Sequence, residues 1–100
     1  MPKSLPPIHP GEIIKEEILE PLNLSVRQLS AALSVTPARL NDIVLGRRGI
    51  TADTALRLAQ FIGNSAEFWL NLQSSYELRV ARNASEKQIA REVKRHTVAA

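Results

Sequence analysis

Cysteine is absent from the chain, which removes both a disulfide framework and any thiolate metal site and suits a reducing compartment. The four glycines stand apart at positions 11, 46, 49 and 63, so there is no glycine-rich loop to cradle a phosphate. No apolar run reaches the length of a membrane span or of the centre of a signal peptide; a soluble, unexported, cytoplasmic chain without membrane contact is expected. Strand-period alternation, internal repeats and low-complexity stretches are missing too, which leaves helices as the building material. Histidine occurs only at positions 9 and 96. His9 and Glu12 have a spacing that suits metal ligation on a helix, but His9 precedes Pro10 in what reads as a loose arm, so neither a metal nor any other cofactor is expected. Glu12, Glu16 and Glu20 recur every four residues as a solvated stripe rather than as an acid and base pair, and no histidine lies near Ser25 or Thr36 to activate them. The expectation is a binding protein and not an enzyme.

What is present is one hundred residues, enough for one domain with its own core, and a net charge of +3 that is unevenly spread. Residues 1–24 carry Lys3 and Lys15 against four glutamates, whereas residues 25–50 carry Arg27, Arg39, Arg47 and Arg48 against Asp42 alone. The positive surplus therefore sits mid-chain, where it would attract a polyanion. Residues 84–100 hold a second, smaller excess in Lys87, Arg91, Lys94 and Arg95 against Glu86 and Glu92.

Apolar spacing divides the chain into helices. Residues 1–7, with Pro2, Pro6 and Pro7, read as an extended arm. A first helix begins near Pro10, buries Ile14, Ile18 and Leu19, and ends at Pro21. The segment from Ser25 to Gly46 then holds two short amphipathic helices about a three-residue turn. Ser25 and Gln28 form a capping box at the first, Thr36 caps the second with Pro37 in its first turn, and Gly46 stops it. Val26, Leu29 and Leu33 share one face, as do Leu40, Ile43 and Val44, so the two helices pack together. Thr51 opens a fourth helix, buried through Ala55, Leu58, Ala59 and Ile62 and closed by Gly63. Ser65 caps a fifth helix reaching about Arg82, and Ser85 opens a charged final segment that frays. The fifth helix is apolar on more than one face: either it runs through the centre of the monomer, or Phe68, Trp69, Leu72 and Tyr76 meet a second copy of the chain.

Packing of the helix pair leaves Ala38, Asn41, Asp42 and Leu45 outward on its second helix, with Arg39 on the flank. Sequence-selective DNA binding needs phosphate contacts for affinity and base-edge contacts for discrimination, and both residue types are available here. Arg27, Gln28, Thr36, Pro37, Arg47 and Arg48 border the pair, where arginines and helix N-termini can take phosphates. Among the outward residues, Asn41 suits adenine, Arg39 guanine, Asp42 cytosine, and Ala38 permits approach to a thymine methyl. A helical protein-interaction module, in which the fifth helix is the working surface and DNA binding is weak or lost, is the competing interpretation.

Four strings, HPGEII at 9–14, the helix pair at 25–45, GRRGITADTALRLAQFIG at 46–63 and SAEFWLNLQSSYEL at 65–78, together resemble the HigA-type (VapI-type) antitoxins among Xre-like helix-turn-helix regulators, over about residues 8–82. The resemblance implies an all-α, five-helix, lambda-repressor-like DNA-binding domain at 8–82, with a dimerising fifth helix and a charged helical tail at 83–100. It further implies a homodimer on a palindromic operator that represses its own operon and neutralises a HigB-type toxin, similar to RelE messenger-RNA-cleaving enzymes. A stand-alone Xre-like regulator without a toxin is the alternative. On this resemblance Pro37 to Leu45 is the second helix of the motif, Ser34 to Thr36 its turn, and Arg47 to Ile50 its backbone-contacting loop. Ser34 stands where such turns often have glycine, at small cost if the backbone there is not left-handed.

Overall fold

A computed structural model describes residues 6–97, and every regular element among them is helical. Residues 1–5 of the expected arm and 98–100 of the tail lie outside the described residues. Helix α1 is built from three contiguous segments, Pro10–Ile14, a π-helical turn Lys15–Leu19, and Glu20–Leu22. It does not stop at Pro21 as the sequence predicts. In an ordinary α-turn the proline ring would clash with the carbonyl four residues back, and the widened turn lies immediately ahead of it. Asn23, at φ 54°, ends the helix in the left-handed region that asparagine tolerates.

Helices α2 (Val26–Leu33) and α3 (Pro37–Val44) form the expected pair. The capping box is reciprocal: Ser25 Oγ accepts the Gln28 N–H at 3.0 Å while Gln28 Oε1 accepts the Ser25 N–H at 2.9 Å. Thr36 Oγ1 accepts the Arg39 N–H at 3.1 Å to start α3. Helix α4 (Ala52–Ile62) is capped by Thr51, and α5 (Ala66–Glu92) by Ser65.

The core gathers Ile14, Ile18 and Leu19 from α1, Leu29 and Leu33 from α2, Leu40 and Ile43 from α3, Ile50 from the following loop, Ala55 and Leu58 from α4, and Trp69 from α5. Helix α4 packs along α5, α2 touches α3 and α4, and α1 lies against α3 and α5. Ile62 departs from its expected stripe and is 39% exposed, since it lies in the last turn of α4 just before Gly63 turns the chain away.

Trp69 settles the two sequence interpretations of the fifth helix in part. At 2% exposure it is a core residue of the monomer, with Nε1–H donated to Asn64 Oδ1 at 3.1 Å, which corrects its place among the dimer-contact candidates. Its indole is the largest of the fully buried side chains among the described residues, and its one polar atom is satisfied within the chain. Helix α5 also runs on as one element to Glu92 instead of breaking near Arg82. Residues 79–92 contain neither glycine nor proline, so nothing in the backbone interrupts it. At 1.5 Å per residue its 27 residues span about 40 Å, and the overhang gives the molecule its 57 × 31 × 24 Å extents.

Candidate nucleic-acid interface

Burying Leu40 and Ile43 fixes the rotation of α3, and this turns Thr36, Pro37, Ala38, Asn41 and Leu45 to solvent while Asp42 is half-buried. Arg27 and Gln28 are exposed on the first turn of α2, and Arg47 and Arg48 are exposed in the loop after α3. That loop is held by its own backbone, because the Asp42 carbonyl accepts both the Arg47 N–H at 2.8 Å and the Arg48 N–H at 3.2 Å. Asp42 Oδ1 stands 3.8 Å from Arg47 Nη1, a loose and exposed ion pair that leaves the arginine able to exchange partners.

Arg39 is placed differently from its expected position on the reading flank. Its Nη2 donates to Asp53 Oδ2 at 2.9 Å and to Thr54 Oγ1, so the guanidinium is turned toward the first turn of α4. A carboxylate at the amino end of a helix is favourably placed there, and it captures the nearest cation. Asp53 holds two arginines at once, since Arg57 Nε donates to the same oxygen at 2.8 Å. Hydrogen bonds from Arg57 and then Arg39 keep the Asp53 carboxyl below the usual carboxylate range.

Two residues that the sequence did not single out, Arg57 and Gln73, position this face. Arg57 Nη1 donates to the carbonyls of Leu33 and Ser34, at 3.0 and 3.3 Å, and so ties the turn between α2 and α3 to α4. Ser34 adopts φ 58° and ψ 45°, a left-handed conformation, so the condition for a small cost is not met and serine is strained where glycine would not be. Gln73, buried on α5, accepts the Ile50 N–H at 2.7 Å and donates to Glu77 Oε2 at 2.9 Å. A Cβ at Gly49 would lie 2.8 Å from Gln73 Nε2, so glycine is what lets this side chain reach the loop. Among these, Gly49 beside paired arginines was the one visible sign; Arg57 and Gln73 lie 23 or more residues from the backbone they hold.

His9 also departs from the loose arm expected of it. It is 7% exposed and caps α1, with Nδ1 accepting the Gly11 N–H at 2.9 Å and its ring edge-on to Tyr76. No group of three or more metal-binding side chains is assembled among the described residues. Of the remaining dimer candidates, Phe68 is 43% exposed and stacks edge-on against Trp69, while Leu72 and Tyr76 are half-buried. Leu78, Val80 and Ile89 extend the exposed apolar surface along α5. No helix of the described residues is long and apolar enough to cross a membrane.

Residues 15–69 match the helix-turn-helix family. The chain is 54% identical over 78 residues to virulence-associated protein I of Dichelobacter nodosus, covering 78% of this chain and 72% of that one. A solved addiction module antidote protein of the HigA family from Coxiella burnetii superposes with a TM-score of 0.88 at 47% identity, over 92% of this chain and all of the other. This chain belongs to the HigA family of helix-turn-helix antitoxins. A second HigA-family relative, antitoxin HigA from Pseudomonas aeruginosa, was solved with the higBA promoter and superposes with a TM-score of 0.87 at 46% identity, over 91% and 99% of the two chains. Membership makes the protein a binding protein of a DNA-binding family rather than an enzyme.

Proposed function

We propose that this HigA-family protein binds a palindromic operator as a homodimer, represses its own toxin–antitoxin operon, and neutralises a HigB-type toxin that resembles the RelE messenger-RNA-cleaving enzymes. The observation that carries DNA binding is the juxtaposition of an outward, small and polar α3 face, Ala38 and Asn41, with the exposed Arg47 and Arg48 loop. A small residue beside an amide lets the helix approach base edges closely, and the arginines fix its register on the phosphates. Arg27 and the amide ends of α2 and α3 supply further phosphate contacts. Arg39, engaged with α4, acts in this scheme by orienting α3, and reaches a base only by leaving Asp53.

The dimer is supported by the apolar surface that α5 leaves open at Phe68, Leu78, Val80 and Ile89, with Leu72 and Tyr76 at its border. Two copies related by a two-fold axis would set their α3 helices about 34 Å apart, one turn of B-DNA, so each engages one half-site. Residues 8–82 form the operator-binding unit in this scheme and 83–100 its charged tail, with action in the cytoplasm.

Gel-shift titration against the DNA upstream of its own gene, at several salt concentrations, tests the DNA-binding function. Folded protein that shows no salt-sensitive, sequence-selective binding would reject it. Co-expression with a neighbouring toxin-like reading frame tests the antitoxin role. Growth arrest that this protein fails to relieve leaves a stand-alone regulator instead.

A further inference from the structure

His9 has no part in the proposed DNA contacts, yet the structure gives this side chain neighbours on three elements. Nδ1 accepts the Gly11 N–H at the start of α1. The ring meets Tyr76 of α5 with centroids 4.8 Å apart and planes at 70°. On the loop after α3, a Cβ built at Gly46 would lie 3.8 Å from two ring carbons of His9, so the imidazole packs directly against that backbone. We propose that neutral His9 is a positioning residue for the Arg47 and Arg48 loop, bracing it against α1 and α5, so that protonating the imidazole weakens the hold on operator DNA. This goes beyond the proposed function and rests on its DNA-binding part.

A neutral imidazole has one donor and one acceptor, and with Nδ1 accepting from Gly11 the proton sits on the other ring nitrogen. A second proton turns Nδ1 into a donor, set 2.9 Å from another donor, and the ring must move. The charged and titratable groups around it are Glu12 on its own helix, Arg48 on the loop, and Tyr76 with Arg79 one turn further on α5. Burial holds the imidazole below its ordinary value, against the opposing pull of Glu12 and the Arg48 backbone.

DNA-bound protein needs the loop in place and so excludes the extra proton, whereas free protein accepts it. Linkage then lowers affinity by up to about tenfold per pH unit, the limit for one proton. Ordinary surface histidines act with the opposite sign, because acid adds positive charge and tightens phosphate binding.

The test is operator titration with the full chain at pH 7.5, 6.5 and 5.5 and constant ionic strength, comparing wild type, His9→Asn and His96→Gln, with helicity recorded at each pH. Asparagine also caps helices through its side-chain oxygen but does not titrate. Wild type and His96→Gln are expected to lose about tenfold more affinity on acidification than His9→Asn. Parallel profiles, or a pH step that disappears in His96→Gln, overturn the proposal. Should His9→Asn fail to fold, proton NMR of wild type decides: the His9 pKa must be lower in the operator complex than in free protein, and an equal or higher value overturns it. Wild type that binds no operator at pH 7.5 overturns the DNA-binding function itself, and this inference with it.

Discussion

Gly11→Ala should unfold the protein far more readily than a glycine-to-alanine change in a helix ordinarily would. In the first turn of a helix alanine is favoured over glycine by at most about 1 kcal/mol. Here the added Cβ would lie 1.9 Å from the Ile43 carbonyl oxygen, 2.8 Å from its carbon and 2.9 Å from Val44 Cα. All three atoms are backbone of α3, so no side chain can rotate away, and α1 must separate from α3 by about 1.5 Å to restore ordinary contact. Overpacking of this kind costs about 3 kcal/mol, at the upper end of the usual range, and the net loss is about 2 kcal/mol. For a domain of this size that lowers Tm by about 8–16 °C. Because α3 is the element displaced, operator affinity of the surviving folded fraction should fall as well. Gly63→Ala is the control: its Cβ meets nothing within 4 Å, and its cost of about 1–2 kcal/mol comes from φ 89° alone, with operator binding intact. Thermal unfolding by circular dichroism at fixed protein concentration, followed by operator titration, measures both effects. If Gly11→Ala melts with the parent and binds DNA equally well, the close seating of α1 on α3 is refuted.

Ser34→Gly should raise stability by about 1 kcal/mol, because φ 58° suits glycine and strains serine; denaturant unfolding that moves the midpoint down would contradict the left-handed turn. Arg48→Ala should weaken binding to all DNA sequences alike and flatten the salt dependence by about one log–log unit. Asn41→Ala should instead reorder operator variants by about 1–3 kcal/mol, and identical behaviour of the two substitutions in competition gel shifts would dismiss their separate roles. Phe68→Ala should lower the association state in sedimentation while leaving monomer folding nearly intact. Trp69→Ala should cost about 3–5 kcal/mol of stability as a core cavity, and a soluble, fully folded Trp69→Ala variant with altered association would return Trp69 to the interface.

Local rules made α2, α3 and α4 legible. Each has its cap and its apolar stripe within a dozen residues, and a hydroxyl followed by a helical apolar repeat states both ends of the packing problem. What could not be read were contacts distant in sequence. Arg39 looks outward on a helical wheel, because nothing in residues 36–45 announces that Asp53 stands within reach. Trp69 lies on a helix too apolar for any single face to be assigned, and its burial becomes apparent only in the assembled core. His9 was misplaced for a related reason. Three prolines close before it read as a loose arm, whereas Pro10 is the first residue of α1 and His9 its cap.

The DNA-facing elements are thereby held from behind by groups that do not themselves face outward. Arg57 fixes the turn at Leu33 and Ser34, Gln73 fixes Ile50, and His9 meets the loop at Gly46, so α1, α4 and α5 each hold one point of the presented surface. Immobilising a loop residue on binding costs on the order of 1–2 kcal/mol of conformational entropy. A loop already ordered in the free protein avoids most of that loss, which leaves more of each phosphate contact to appear as affinity. The same arrangement ties the loop to α5, since Gln73 holds Ile50 from a helix whose neighbouring residues, Phe68 and Leu72, border the open apolar face.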